Sequence, residues 1–236
     1  MTRSSPPPAL PDAVPLRLDV GDAGPVSARL IAPPGARACY VFAHGAGAGM
    51  DHPFMAALAE ALAARAVATL RFQFPSMERG ARRPDPPAVA HAAVRAAVAE
   101  ARRRCIGVPL FAGGKSFGGR MSSQAQALAP LEGIEGLAFV GFPLHPAGKP
   151  GVERATHLRE VCVPMLFLQG SRDALADLAL LQAALAPLGP CAELRVVEDA
   201  DHAFHVRAAS GRTDRQVVDE LADAMSGWFA ARVAPR

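Results

Sequence analysis

The sequence is poor in several kinds of residue, and each shortage narrows what the chain can be. Aromatic residues make up only 6% of its 236 residues, so we expect a core built from Ala, Leu and Val. Lys115 and Lys149 are its only lysines, so nearly every cation is an arginine. The formal net charge is only +3, and basic residues are not interleaved with aromatic ones along one face. This distribution argues against a nucleic-acid-binding groove.

Cysteines and long apolar stretches are also scarce. The four cysteines, Cys39, Cys105, Cys162 and Cys191, show neither a C-x-x-C pattern nor a Cys/His spacing that would bind zinc. Three of them adjoin apolar patterns, so we expect buried free thiols in a reducing compartment. No segment is apolar over the ~20 residues that a membrane span needs, and the first residues lack the apolar region of a secretory signal. The sequence therefore predicts a cytoplasmic protein with no metal, no cofactor and no membrane or nucleic-acid partner.

Short apolar stretches alternate with helical patterns along most of the chain. Residues 1–13 are rich in Pro and Ser and predict a disordered arm, whereas residues 14–236 predict a single domain. The predicted strands are 14–19, 26–31, 38–43, 67–72, 109–112, 137–142, 165–169 and 193–198. Apolar helical stripes cover 54–62, 94–105, 121–128, 175–188 and 217–228. This alternation predicts an α/β fold with a mostly parallel sheet of seven or eight strands, covered by helices on both faces.

One glycine-rich turn is the clearest candidate for chemistry. The run Gly114-Lys115-Ser116-Phe117-Gly118 matches G-x-S-x-G, and it lies between an apolar strand and a helical pattern. In a nucleophile elbow the serine sits on a strained strand-to-helix turn, and side chains two positions away would collide with neighbouring backbone. An ordinary turn with an idle surface serine is the alternative. A phosphate-binding loop is not, because Pro109 stands where that motif requires glycine.

Two further polar residues follow later strands in the order that serine hydrolases use. Asp173 follows the strand at 165–169, and His202 follows the last strand. A serine hydroxyl needs a base as it attacks, His202 can take that proton, and Asp173 can orient the imidazole. Asp173 could instead cap the next helix, and we interpret Asp177 as a surface residue of that helix. His205 is a rival base, and Asp199 and Asp201 are rival orienting groups.

The remaining site residues are expected in three loops. Ala46, with Gly47 as the fallback, and Phe117 are the candidate donors of an oxyanion hole, since such a hole combines the residue after the nucleophile with an earlier loop. Only about twenty residues separate Phe142 from Pro164, too few for a helical cap domain. We therefore expect an open site bordered by loops 44–50, 73–87 and 143–151. The expected substrate-binding residues are His44, Gln73, Lys115 and His145.

Both lysines fall in loops predicted to face this site. Lysine carries a compact charge, unlike the broad planar fork of arginine. One hypothesis is therefore that Lys115 or Lys149 attracts an anionic group of a substrate, and the alternative is that both are solvated loop residues.

Several motifs taken together resemble a known family. They are His44-Gly45-Ala46-Gly47-Ala48-Gly49, Arg71-Phe72-x-Phe74-Pro75, Gly114-Lys115-Ser116-Phe117-Gly118-Gly119-Arg120-Met121, Gly141-Phe142-Pro143-Leu144-His145-Pro146 and Asp201-His202-x-Phe204. Over about residues 25–232 the chain resembles the small α/β-hydrolases related to dienelactone hydrolases. More narrowly, it resembles the group similar to testis-expressed protein 30 and to the hydrolase-like segment of a chromatin-complex subunit. The resemblance implies the α/β-hydrolase fold and a triad of Ser116, Asp173 and His202.

The sequence thus predicts a serine hydrolase that cleaves small acyl esters or thioesters. Dienelactone hydrolases proper use a cysteine nucleophile, and this chain has Ser116 there, so we do not expect dienelactone as its substrate. Some relatives of this group serve as scaffolds, and a non-catalytic protein-interaction module is therefore the alternative. The expected partner is a small-molecule ester, and the chain could be a monomer or a homodimer.

Overall fold

A single eight-stranded sheet runs through the computed structural model, which describes residues 11–233. The predicted arm at 1–13 therefore lies almost entirely outside the described residues. The strands are β1 (Val14–Asp19), β2 (Pro25–Ile31), β3 (Ala38–Ala43), β4 (Val67–Phe72), β5 (Leu110–Lys115), β6 (Ile134–Val140), β7 (Met165–Gly170) and β8 (Ala192–Val197). Their spatial order is β1-β2-β4-β3-β5-β6-β7-β8. Of the eight strands, β2 alone runs opposite to the other seven, so the predicted mostly parallel sheet is confirmed.

Helices cover both faces of this sheet. They are α1 (Pro53–Ala63), α2 (Pro75–Glu78), α3 (Pro87–Arg104), α4 (Phe117–Leu128), α5 (Leu178–Leu185) and α6 (Asp214–Ala230). α1 and α6 share one apolar cluster with the sheet, whereas α3, α4 and α5 pack into the other. Among the helices of residues 11–233, none is long and apolar enough to cross a bilayer.

Most of the buried apolar residues are Ala, Leu or Val, as the composition predicted. Every aromatic side chain except those of Phe54 and Phe117 is buried as well, and the rings of Phe111 and Phe229 stack 4.3 Å apart. A scarce residue type can contribute strongly to a core, because each aromatic ring removes far more apolar area from water than an alanine does. The thiols differ from expectation, since all four are free but only Cys39 is buried, and Cys162 and Cys191 are exposed.

The helix after β7 is shorter than its leucine spacing predicts. It begins at Leu178 and ends at Leu185, and a 3₁₀ segment (Ala186–Cys191) follows it. Pro187 and Pro190 end the α-helix because proline has no N–H to donate. The Asp177 side chain accepts a hydrogen bond from the Leu180 amide at 2.9 Å and is the N-cap. Asp177 is therefore the exposed N-cap of α5. This fits its interpretation as a surface residue and corrects the capping alternative for Asp173.

The segment between β6 and β7 leaves the carboxyl edge of the sheet uncovered. Its only helical structure is a 3₁₀ segment (Glu153–Glu160). No helical cap domain is inserted here, as the short spacing between Phe142 and Pro164 predicted.

Capping by Asp177 gives a test of the fold near the site. Asp177→Ala removes the side-chain acceptor for the Leu180 amide, and we expect a loss of about 0.5–2 kcal/mol in the free energy of unfolding. Asp177→Asn keeps an acceptor and is the matched control, with little change expected. Urea titrations of the three proteins measure this, and equal stability of Asp177→Ala and wild type would contradict the capping role.

Candidate active site

Ser116 occupies a strained turn between β5 and α4. Its backbone has φ +49° and ψ −114°, a region that residues with a side chain rarely adopt. The strain is imposed by close packing: a Cβ on Gly114 would lie 2.3 Å from the Ala43 carbonyl oxygen, and one on Gly118 would lie 2.4 Å from the same atom. Only glycine fits at these two positions, so the collision that the G-x-S-x-G pattern predicts is present.

Three polar side chains meet at the carboxyl edge of the sheet in one hydrogen-bonded chain. Ser116 Oγ lies 2.9 Å from Nε2 of His202, and Nδ1 of the same ring lies 2.7 Å from Oδ2 of Asp173. The Asp173 side chain is fully buried, whereas that of His202 is 27% exposed. A proton leaving the Ser116 hydroxyl can therefore pass to the imidazole while a buried carboxylate holds the far nitrogen.

The rival residues have other partners. His205 is exposed and its Nδ1 contacts the Asp214 carboxylate at 2.9 Å. Asp201 accepts hydrogen bonds from the amides of Ala203 and His205 and so organises the turn that carries His202. Asp199 has φ +60° and contacts Arg172 through its carbonyl oxygen. None of the three takes part in the Ser116–His202–Asp173 chain.

Gln169 is a member of the site that the sequence analysis did not include. It lies on β7, is fully buried, and its Nε2 donates to Asp173 Oδ2 at 2.5 Å. The Leu175 amide donates to the other carboxylate oxygen at 2.8 Å. Gln169 Oε1 is buried with no partner among the described residues, which is costly for a core position. One polar residue in an otherwise apolar strand was the available signal.

Two backbone amides border a shallow cleft next to Ser116. The amides of Ala46 and Phe117 donate to no acceptor within residues 11–233. Both residues line a cleft with an enclosed volume of about 10 Å³, whose walls come from loops 44–50 and 73–87. Gly47 lines it too, and the loop at 143–151 does not contribute. Unpaired amides beside a nucleophilic hydroxyl can bind an oxyanion.

His44 belongs to the wall of this cleft, but neither of its ring nitrogens is free. Nδ1 donates to the Gly45 carbonyl at 2.7 Å, and Nε2 accepts from the Phe74 amide at 3.0 Å. Burial lowers the pKa of His44, so the ring stays neutral and links the loops after β3 and β4. His44 thus lines and shapes the cleft, while its expected contact with substrate stays a prediction.

Gln73 and His145 also hold loops together. Gln73 Oε1 accepts from the Met50 amide at 2.9 Å, and its side chain lines a separate groove beside Arg17 and Asp51. His145 is buried, and its Nε2 accepts from the Asp177 amide at 2.9 Å. Neither residue is among those that line the cleft, and their expected contact with substrate stays a prediction.

Lys115 points away from the cleft toward the chain segment that carries His202. Its Nζ donates to the His202 carbonyl oxygen at 2.5 Å, and burial lowers the pKa of Lys115 to about 8. The expectation that Lys115 binds an anionic substrate is corrected by this contact. Lys149 is exposed on its loop. Within residues 11–233 no group of three His, Cys, Asp or Glu side chains could hold a metal ion.

The buried histidines give the fold a pH dependence that can be measured. Burial lowers the pKa values of His44 and His91, and it lowers that of His157 to about 4. Unfolding lets these rings take up protons near their ordinary value of 6.5, so the free energy of unfolding should fall as pH drops from about 7 to 5. We expect His44→Gln to show a smaller fall than wild type in urea titrations across this range.

His205 supplies a control of opposite sign. The hydrogen bond to Asp214 raises the pKa of His205, so protonation of this ring favours the folded state on acidification. His205→Gln should therefore lose more stability toward pH 5 than wild type does. Identical pH slopes for wild type and His44→Gln would contradict the assignment of His44 as a neutral link between loops.

Comparison with known proteins agrees with this fold. Three solved structures match nearly the whole chain. A lidless α/β serine hydrolase from Xanthomonas campestris is 22% identical over 97% of this chain and 99% of its own, with a TM-score of 0.72. A dienelactone hydrolase from Anabaena variabilis is 21% identical over 95% and 100%, with a TM-score of 0.76. An esterase domain from Rhodothermus marinus is 16% identical over 92% and 97%, with a TM-score of 0.69.

These structures share the α/β-hydrolase fold, and the one from Xanthomonas campestris is described as lidless, which confirms the fold that the sequence predicted. The narrower likeness to testis-expressed protein 30 and to a chromatin-complex subunit stays a prediction. A family model described as an alpha/beta hydrolase domain matches residues 36–230. The chain therefore belongs to the alpha/beta hydrolase domain family.

Proposed function

We propose that this protein is a serine hydrolase that cleaves small acyl esters or thioesters through an acyl-enzyme intermediate. The observation that carries the proposal is the unbroken chain of contacts from Asp173 through His202 to Ser116, at 2.7 and 2.9 Å. These are the distances at which a base can accept a proton from a hydroxyl as it attacks. The nearby cleft and its two free amides support the same reaction.

In the first half of the reaction Ser116 Oγ forms a bond to the acyl carbon, and its proton moves to His202 Nε2. The carbonyl oxygen becomes an oxyanion, to which the Ala46 and Phe117 amides donate. Asp173 stabilises the imidazolium by accepting from Nδ1. When the tetrahedral intermediate collapses, the bond to the leaving group breaks and His202 protonates the departing alcohol or thiol. The acyl group remains on Ser116.

Water completes the cycle by the same chemistry. His202 accepts a proton from a water molecule as the water oxygen attacks the acyl carbon, and the same two amides stabilise the second oxyanion. Collapse breaks the bond to Ser116 Oγ, which takes its proton back from His202. The products are a carboxylic acid and the free enzyme, so the net reaction consumes one water.

The size of the cleft favours small acyl groups. Its enclosed volume is only about 10 Å³, and it is closed at one side by the loop at 73–87, with Met77, Ala81 and Pro84 among its lining residues. Ligand sites for drug-sized molecules are far larger, at ~300–1,000 Å³. A long acyl chain would have to extend into solvent.

An activity-based fluorophosphonate probe tests the nucleophile. We expect it to label wild type at Ser116 and to leave Ser116→Ala unlabelled, since the probe reacts with activated serine hydroxyls. His202→Ala should slow labelling by at least about 100-fold, because the general base contributes roughly 10²–10⁴-fold. Ser226, which donates to the Asp223 carbonyl oxygen at 3.2 Å, serves as a matched control through Ser226→Ala, and that variant should label like wild type.

The alternative, a protein-interaction module on a hydrolase scaffold, predicts the reverse result. A folded wild-type protein that reacts no faster than Ser116→Ala would have no activated serine, and the proposal of catalysis would be withdrawn. Circular dichroism of each variant establishes folding before labelling is compared.

Acyl-chain length gives a second prediction. Across p-nitrophenyl esters from acetate to palmitate, presented below their aggregation limits, kcat/KM should be highest for the shortest acyl groups. Each further methylene that finds no apolar wall should add little of the ~0.8 kcal/mol available per buried CH₂. A steady rise of kcat/KM with chain length would contradict the small cleft as the acyl site.

A further inference from the structure

Lys115 makes an unusual contact for a residue next to a nucleophile. It is the last residue of β5, and its Nζ reaches the carbonyl oxygen of His202, 87 positions further along the chain. This contact joins the neighbour of Ser116 to the residue that carries the proposed base. The mechanism above does not use it.

The His202 carbonyl has no other donor in the part of the chain that the structure describes. The turn at 201–206 is closed by the Phe204 amide on the Asp201 carbonyl and by the Asp201 amide on the His205 carbonyl. No backbone amide donates to the His202 carbonyl. The turn is also strained, with Phe204 at φ +64°, so it needs contacts from outside to hold its shape.

The surroundings of the ammonium group fit a built site. Nζ lies 5.2 Å from the centroid of the Phe204 ring and 6.0 Å from that of Phe54, distances at which a cation is attracted to an aromatic face. The two rings stack 5.7 Å apart. Gly141 leaves room for the amine, since a Cβ there would come within 3.0 Å of Nζ and 3.5 Å of the His202 ring.

We propose that Lys115 is a positioning residue: its ammonium group fixes the His202 backbone from the nucleophile's own strand and so keeps the imidazole between Asp173 and Ser116. The role rests on the proposed hydrolase function. Lys115 contacts the two aromatic rings and the His202 carbonyl oxygen, and so restricts the backbone of the turn at His202. The side chain of this residue must reach both Asp173 and Ser116. Loss of the contact would let the ring move from this position, and a misplacement of ~1 Å can cost about 100-fold in rate.

Protonation of Lys115 sets the strength of this contact. The charged groups that face it are Asp173 and Asp201, which favour the ammonium form, while burial is the larger effect and lowers the pKa of Lys115 to about 8. A neutral amine donates a weaker hydrogen bond and loses its attraction to the rings. Below about pH 8 Lys115 is charged, and above it the contact between Lys115 and the His202 carbonyl weakens.

Stability has the opposite pH dependence. Because burial depresses the pKa of the folded state, the folded chain gives up this proton at a lower pH than the unfolded chain does. Lys115 therefore makes the fold more stable as pH rises from about 8 toward its ordinary value of 10.5. A positioning role predicts activity falling over this range while the Lys115 contribution to stability increases, a divergence that a merely structural role would not produce.

Lys115→Met tests the proposal, with Lys149→Met as the matched control at the exposed lysine. Methionine keeps the unbranched shape and removes the charge, so we expect an unfolding temperature equal to or above that of wild type. For hydrolysis of p-nitrophenyl acetate we expect kcat/KM to fall about 10- to 100-fold, mainly through kcat, as for a misplaced catalytic group. The wild-type activity should decline above about pH 8. This decline should persist in Lys149→Met and disappear in Lys115→Met.

A second readout does not depend on any ester being hydrolysed. In NMR spectra, the Nδ1 proton of His202 should give a strongly deshielded resonance in wild type and Lys149→Met, and it should broaden or shift upfield in Lys115→Met. Unchanged kcat, pH profile and resonance in Lys115→Met would overturn the positioning role, as would a loss of activity that only follows a lower unfolding temperature. Failure of wild type to hydrolyse any ester would instead overturn the hydrolase function, and the NMR comparison would still decide whether Lys115 positions the ring.

Discussion

The close approach of the Ser116 turn to the Ala43 carbonyl oxygen is the constraint on which the rest of the site depends. Gly114 and Gly118 contact this atom from the two sides of the turn, and neither could carry a Cβ. Between these two glycines Ser116 adopts its strained conformation with positive φ. The Phe117 amide follows it in the chain, and Phe117 lines the same cleft as the loop after β3. The positions of Ser116 and of the Ala46 and Phe117 amides therefore depend on close backbone packing.

Charge at the site is balanced around Asp173. This buried carboxylate receives three hydrogen bonds, from His202, Gln169 and Leu175, and buried carboxylates are tolerated when so paired. The ammonium of Lys115 is near enough for it and this carboxylate to attract each other. Asp173 therefore has a cation nearby as well as its three hydrogen-bond donors. The buried Oε1 of Gln169, which has no partner among the described residues, lowers the stability of the core at this point.

Sequence patterns predicted the features that follow from the order of residues along the chain and from the spacing of apolar residues. Strands followed by glycine, serine, aspartate or histidine could be recognised because apolar stretches have a fixed length and parallel strands end at one edge of a sheet. The positions of Ser116, Asp173 and His202 along the chain followed from that rule. Their grouping in space is a feature of the fold that no local pattern encodes, and it was inferred only from the order in which they occur.

Most of the contacts that the sequence did not reveal join distant segments. Lys115 was interpreted as a substrate contact because it lies in a loop beside the nucleophile, but its partner is 87 residues away. His44, Gln73 and His145 look equally suited to binding a ligand, and each turns out to pair with a backbone amide of another loop. Side-chain type and loop position cannot distinguish a residue that binds a ligand from one that holds a loop. That distinction depends on whether the fold places an unpaired backbone amide of another loop within reach of the side chain.

The lack of a lid explains why so many polar side chains are used in this way. Enzymes with closing loops complete their sites and exclude water by moving onto the substrate. Here the segment between β6 and β7 is too short to cover the cleft, so the geometry of the site has to exist before substrate arrives. Preorganised donors are effective because they need no reorganisation as charge develops. His44 links the loop that carries Ala46 to the loop after β4, His145 accepts from the amide at the start of α5, and Lys115 donates to the His202 carbonyl oxygen. In a site without a lid, buried polar contacts of this kind hold the loops in place.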